Sequence, residues 1–239
     1  MRTNILKSTL IWAAAVSLTI ILFFVMFFLS LILYSFDKKR KIVHAQCFWW
    51  ASAVLGLNPY WKVRVSGLEN IDRNKTYVIV SNHQSMADIA VIYKTKTQFK
   101  WVAKESLFRV PFIGWSLALA KHIKLARGEL SSIKEVYREA ENWLRKDVSV
   151  LFFPEGTRSE TTKMLEFQNG AFKLAIRERV PVLPLRLEGT GDAIPKGSWL
   201  FKTKVYCSLK VLPAIDTSNY LPGQFAQLRD MARQKMEKA

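Results

Sequence analysis

The octapeptide SNHQSMAD, residues 81–88, follows the apolar run TYVIV and sets His83 and Asp88 five positions apart. A neutral imidazole takes a proton from a hydroxyl when a carboxylate fixes its tautomer and stabilises the imidazolium that forms. On one continuous helix, five positions separate side chains by about 140°. Contact therefore requires His83 to precede a helix and Asp88 to reach back from its first turns. Ser85 to Asp88 reads S-x-x-D, a start signal for such a helix. Taken alone, the pair reads better as a polar turn in which Asp88 complements a helix dipole.

FFPEGTRS (152–159) changes that balance. It puts Glu155, Gly156, Thr157 and Arg158 directly after a second buried-strand pattern, and an arginine grips phosphate through two parallel N–H bonds. FQNGAFKLA (167–175) adds Lys173 after a glycine turn, and KESLFRVPFIGW (104–115) adds Lys104. These residues describe a cationic pocket beside a general base. The nearest competitor is a Ser-His-Asp lipid hydrolase built on Ser116 in GWSLA. A nucleophile elbow, however, follows a strand and precedes a helix, whereas Ser116 lies in an apolar segment introduced by Pro111.

Elements must bring these motifs together. From residue 61 onward, β-rich runs alternate with helical patterns, the rhythm of an α/β fold with a mostly parallel central sheet flanked by helices. Strands are predicted at 62–66, 76–81, 98–103, 122–126, 148–153, 182–187 and 204–212. A helix is predicted at 129–146, with Ile133, Val136, Tyr137, Ala140 and Leu144 on one face, and a surface helix at the C-terminus. His83 then follows the second strand, Lys104 the third, Arg127 the fourth, and Glu155 with Arg158 the fifth. In a parallel sheet those strand ends share one edge, where such folds bind ligands.

The chain of 239 residues carries 36 Lys and Arg against 19 Asp and Glu, a net charge of +17. That surplus suits polyanions: nucleic acid, anionic head groups or phosphorylated substrates. A non-catalytic membrane protein with a basic face would explain the charge but not the two polar motifs. Cys47 and Cys207 stand without a Cys/His cluster, so neither a disulfide framework nor a metal site is indicated. From Ser8 to Phe36 there is no charged side chain, and roughly 20 apolar residues suffice to cross a bilayer. A membrane helix is expected there, spanning or re-entrant, since a secretory signal has an apolar region of only about 7–15 residues. The basic run DKKRK (37–41) places the rest of the chain on the cytoplasmic side. IVHAQCFWWASAVLGLNP (42–59) is then an interfacial helix or a core helix, with His44 structural. Residues 1–57 are expected to anchor the chain, and 58–239 to form the α/β domain.

NHQSMAD (82–88), KESLFRVPFIG (104–114), FPEGTRS (153–159) and VPVLPL (180–185) occur in that order. With NGAFKLA and GTGDAIPKGSW (189–199), they resemble the motifs of the 1-acylglycerol-3-phosphate acyltransferase (PlsC-like) family over about residues 60–212. The run HIKLAR departs from the family pattern, leaving Arg127 without a neighbouring Asp. The resemblance implies that His83, held by Asp88, deprotonates the sn-2 hydroxyl of a lysophosphatidate, which attacks the thioester of acyl-CoA or acyl-carrier protein. It implies no metal, no cofactor and no nucleic acid partner. It also implies membrane lipid around the site and phosphatidic acid as the product. Glu155, Gly156, Thr157 and Arg158 are expected to organise the acceptor, with Arg158 and Lys104 on its phosphate and Lys173 or Arg127 as second choices. Glycerol-3-phosphate or a lyso-aminolipid stays open as acceptor.

Overall fold

All seven expected strands form: β1 (Trp61–Ser66), β2 (Val78–Ser81), β3 (Phe99–Lys104), β4 (Ile123–Leu125), β5 (Ser149–Phe152), β6 (Val182–Glu188) and β7 (Val205–Val211). They make one sheet in the order β1-β7-β6-β2-β5-β3-β4. The computed structural model describes residues 2–126, 128–161, 163–194, 197–202 and 204–239. Five neighbouring strands, β6-β2-β5-β3-β4, run parallel. β7 is antiparallel to β6, and β1 runs parallel to β7, so this outer pair is reversed. β2 and β5 are buried at every position, as expected of parallel strands covered on both faces. β1 alternates between half-buried and exposed, as an edge strand does.

The connections decide where a ligand fits. The chain leaves β2 toward β3, on one side, and leaves β5 toward β6, on the other, although β2 and β5 are neighbours. Such a reversal opens a crevice beyond the carboxyl ends of the two strands. His83 lies two residues past β2 and Glu155 three past β5, so the two polar motifs meet at this crevice.

Helices cover both faces. They are α1 (Arg2–Ile32), α2 (Lys41–Gly56), α3 (Asp88–Ile92), α4 (Glu105–Phe108), α5 (Ile113–Leu119), α6 (Leu130–Leu144), α7 (Gly170–Glu178) and α8 (Phe225–Glu237). α6 buries Val136, Ala140 and Leu144 from its apolar stripe, and α8 buries Leu228, Ala232 and Met236, each spaced four apart. With α7 they cover one face of the sheet, while α2 and α3 pack on the other.

α1 is apolar enough over Ile5–Ile32 to cross a membrane, and it ends four residues short of Phe36. It does not stand clear of the domain. Near its start, Phe201 N donates to Ser8 Oγ at 3.0 Å and Trp12 Nε1 to the Trp199 carbonyl at 2.8 Å. Towards its other end, Phe23 packs on Phe112 and Trp115. Asp37 begins α2 by accepting the amides of Lys41, Ile42 and Val43, three N–H groups that a helix start leaves without partners. α2 turns Val43, His44, Ala51 and Leu55 into the domain and exposes Trp49, so the interfacial and core readings each describe one face.

Behind α2 lies a buried basic cluster. Lys100 Nζ donates to the Ala120 carbonyl at 2.6 Å and sits over the Trp143 ring. His122 Nδ1 accepts the Trp101 amide, and its Nε2 meets Tyr93 Oη at 3.3 Å. Burial, reinforced by the Lys100 charge, lowers His44 to about 3, and burial also lowers Lys100 to about 7 and His122 well below its usual range. For a base whose folded pKa is depressed, the unfolded chain binds the extra proton, so stability rises with pH between the two values. The intervals run from about 3 to 6.5 for His44 and from about 7 to 10.5 for Lys100. Thermal midpoints should therefore fall steadily as pH drops below 6.5, with each histidine contributing on the order of 1 kcal/mol per pH unit. Replacing His44 with a neutral isostere such as Gln should flatten that slope.

Candidate active site

His83 lies in the turn before α3, and Asp88 is the first residue of that helix. The carboxylate reaches back, and its Oδ2 accepts His83 Nδ1 at 2.7 Å, Gln84 N at 2.7 Å and Ser85 N at 3.0 Å. The Ser85 contact is the returning half of a capping box, while Ser85 Oγ accepts Ala87 N instead of closing the other half. Three donors converge on one oxygen of a fully buried carboxylate. The imidazole thus carries its proton on Nδ1 and offers the Nε2 lone pair. Its ring stacks on Phe153, centroids 4.1 Å apart, and faces the crevice.

The backbone of His83 is clamped by the FPEGTRS loop. His83 N donates to Glu155 Oε1 at 2.7 Å, Ser159 N donates to the His83 carbonyl at 2.8 Å, and Leu165 N takes Glu155 Oε2 at 2.8 Å. Burial pushes the Glu155 carboxyl up, opposed by these two amide bonds. Both carboxylate oxygens are therefore engaged by backbone, which makes Glu155 a positioning residue. Asn82 fixes the other side, exchanging two bonds with Leu187 of β6 at 2.9 and 2.7 Å. In Glu155→Gln, one amide N–H would face an NH₂ group. That variant should lose about 1–3 kcal/mol of stability and turn over more slowly, with the acceptor KM little changed. A melting curve beside steady-state kinetics checks both.

From His83 a cavity of about 1040 Å³ extends between the α/β domain and α1 and α2. Near His83 its wall includes Lys104, Gly156, Thr157 and Arg158. Further in, it is built from apolar residues such as Val16, Met26, Trp50 and Leu117. Gly156 adopts φ +70, a left-handed turn that favours glycine, and a Cβ there would meet nothing within 4 Å. Arg158 is half-buried, Lys104 is exposed, and neither makes an ion pair among the described residues. Lys173 is not brought to this wall: it sits on α7 with its Nζ 4.4 Å from the Phe225 ring centroid. That corrects its expected place, because the glycine turn starts α7 on a line that points Lys173 toward α8. Arg127 lies outside the described residues. Ser116 does line the cavity but stands in the middle of α5, not at a strand-to-helix turn, and among the described residues no hydroxyl hydrogen-bonds His83.

A base with a fixed tautomer, two cations without an ion pair among the described residues and an apolar cavity fit proton removal from a lipid that carries an anionic group. A family model described as Acyltransferase matches residues 62–188, from β1 through β6. The chain belongs to the acyltransferase family. A 1-acyl-sn-glycerol-3-phosphate acyltransferase of Chlamydomonas reinhardtii is 36% identical over 194 residues, covering 80% of this chain and 58% of that protein. One of Pseudomonas aeruginosa is 32% identical over 210 residues, covering 86% and 79%. The chain spans about half the length of several curated relatives it matches, 45% for a chloroplastic one of Arabidopsis thaliana. The crystal structure of the 1-acyl-sn-glycerophosphate (LPA) acyltransferase PlsC of Thermotoga maritima superposes with a TM-score of 0.84 at 28% identity, covering 100% of this chain and 97% of that one.

Within this acyltransferase, several positioning residues escape a reading by residue type. Asn82, Phe153 and Ser159 act through a sheet register, a ring face and a backbone amide. The only signal for them in the sequence is their adjacency to His83 and Glu155.

Proposed function

We propose that this acyltransferase moves a fatty acyl group from a thioester, acyl-CoA or acyl-carrier protein, to the sn-2 hydroxyl of 1-acylglycerol-3-phosphate, giving phosphatidic acid. The observation that carries this reading is the 2.7 Å His83–Asp88 pair opening onto a cavity that begins at Arg158 and Lys104 and continues between apolar helices. His83 Nε2 takes the hydroxyl proton as the oxygen attacks the thioester carbonyl. The tetrahedral adduct then expels the thiolate, which recovers the proton from the imidazolium. Because the thioester is already activated, alignment and one proton transfer suffice.

Arg158 and Lys104 bind the acceptor phosphate, and the acyl chains take up the apolar cavity. Residues 1–57 anchor the protein and 58–239 carry the chemistry, on the cytoplasmic side by the charge of the 37–41 run. α1 lies at a shallow angle within one leaflet, since the domain holds it near Trp12 and again near Phe23. Thiol release from acyl-CoA, measured with and without lysophosphatidate, tests the reaction class. A transferase needs the acceptor, a hydrolase does not, and a binding protein releases nothing. Product mass spectrometry with glycerol-3-phosphate and a lyso-aminolipid supplied together identifies the acceptor.

A further inference from the structure

We propose that residues 109–115, the turn between α4 and α5 with the start of α5, form a second membrane-inserting element, seated in the leaflet that receives α1. The inference rests on the reading of α1 as a membrane helix. In RVPFIGW, five of seven side chains are apolar and large or cyclic, yet the turn is not packed away: Val110 is 38% exposed, Ile113 38% and Trp115 49%. Contiguous apolar surface of this kind marks a protein or membrane contact.

The backbone holds that display in place. Phe112 adopts φ 60, ψ −48, and Ile113 N bonds to the Pro111 carbonyl at 2.7 Å, a γ-turn rare for a residue with a side chain. Gly114 is pressed under α4, where a Cβ would stand 2.1 Å from the Phe108 carbonyl oxygen. A strained turn locked from beneath and apolar on its outer side is costly in water and suited to a fixed apolar partner.

Continuity with α1 identifies that partner. Phe112 and Trp115 touch Phe23 of α1 at 5.6 and 5.4 Å between centroids, and Phe112 reaches Phe24 at 6.3 Å. Phe24 and Phe28 are themselves exposed, so one apolar surface runs from the helix onto the domain. Exposed Arg109 and Lys121 flank it, as basic residues do at head-group level. An interfacial element of this composition sits about 5–10 Å into the boundary between head groups and acyl chains. Ile113 also lines the catalytic cavity, so the inserted segment sets part of the cavity wall against the leaflet from which a lipid acceptor arrives.

The test uses the full chain with Cys47 and Cys207 replaced by Ala and an environment-sensitive fluorophore on Val110→Cys or, independently, Trp115→Cys. Ile21→Cys on α1 serves as reference, and acceptor-dependent thiol release verifies that each labelled protein is folded. On vesicles of phosphatidylcholine and phosphatidylglycerol, lipid nitroxides at the upper acyl carbons should remove most of the emission at 110 and 115, as at 21, while aqueous iodide should not. Quenching at 21 by lipid but at 110 and 115 only by iodide would overturn the proposal and leave α1 as the anchor. Shielding of the turn from both quenchers would mean that protein, such as a second copy, covers it, which also overturns the proposal. Lipid quenching at none of the three positions would reject the membrane reading of α1 together with the proposal.

Discussion

His83→Ala should lose about 10²–10⁴ of its turnover, the usual contribution of a positioned base, while remaining folded and membrane-bound. The structure separates those outcomes. The His83 side chain contributes one ring face on Phe153 and one bond to Asp88, whereas the turn itself is held by backbone bonds to Glu155 and Ser159 that an alanine keeps. Asp88 Oδ2 also keeps the amides of Gln84 and Ser85. Asp88→Asn tests the second half of the pair. An asparagine can place its carbonyl where Oδ2 now sits and keep all three donors, so it preserves the tautomer, removes the charge that stabilises the imidazolium and puts an NH₂ where the unpartnered Oδ1 now lies. Its kcat should fall markedly, though less than that of His83→Ala. Circular dichroism, vesicle flotation and kcat measured on the same preparations check the set. Wild-type turnover in His83→Ala would end the base mechanism.

What could be read in the sequence was whatever depends on residue type along a short stretch. VIVS and SVLF are short apolar runs with β-branched residues, which favours strands covered on both faces, and NHQSMAD places an acid within reach of a base only if a helix starts between them. The direction of β7 was not readable, because a strand's composition does not record whether its neighbour runs with it or against it. The bonds of Glu155 were not readable for a related reason. Its partners, the amides of His83 and Leu165, lie 72 and 10 residues away, and backbone donors have no sequence signature. Lys173 was placed by proximity to a glycine turn, but the direction in which a helix leaves such a turn comes from packing, here against α8. The long apolar helix showed its length and not its packing on the domain, which runs through Ser8, Trp12 and Phe23.

Substituting Arg158 should raise the acceptor KM by about 10- to 150-fold, the equivalent of losing a charge-assisted bond worth roughly 1.5–3 kcal/mol, with the donor KM much less affected. Arg158→Lys should recover only part of this, since an ammonium cannot supply the planar two-bond fork. The alternative is that Arg158 serves structure by pairing with Glu155, in which case its loss would lower the melting temperature and impair both substrates alike. Geometry speaks against that. Both oxygens of Glu155 are engaged by backbone amides, Arg158 makes no ion pair among the described residues, and its side chain lines the cavity beside Thr157. A cation held half-buried without a counter-charge among the described residues is poised to bind an anion brought by the substrate, and removing it should leave the melting temperature near that of wild type. Varying each substrate separately, beside a melting curve, distinguishes the two. Equal losses for donor and acceptor with a lowered melting temperature would reject the phosphate role, and acceptor recognition would then have to come from Lys104 or Arg127.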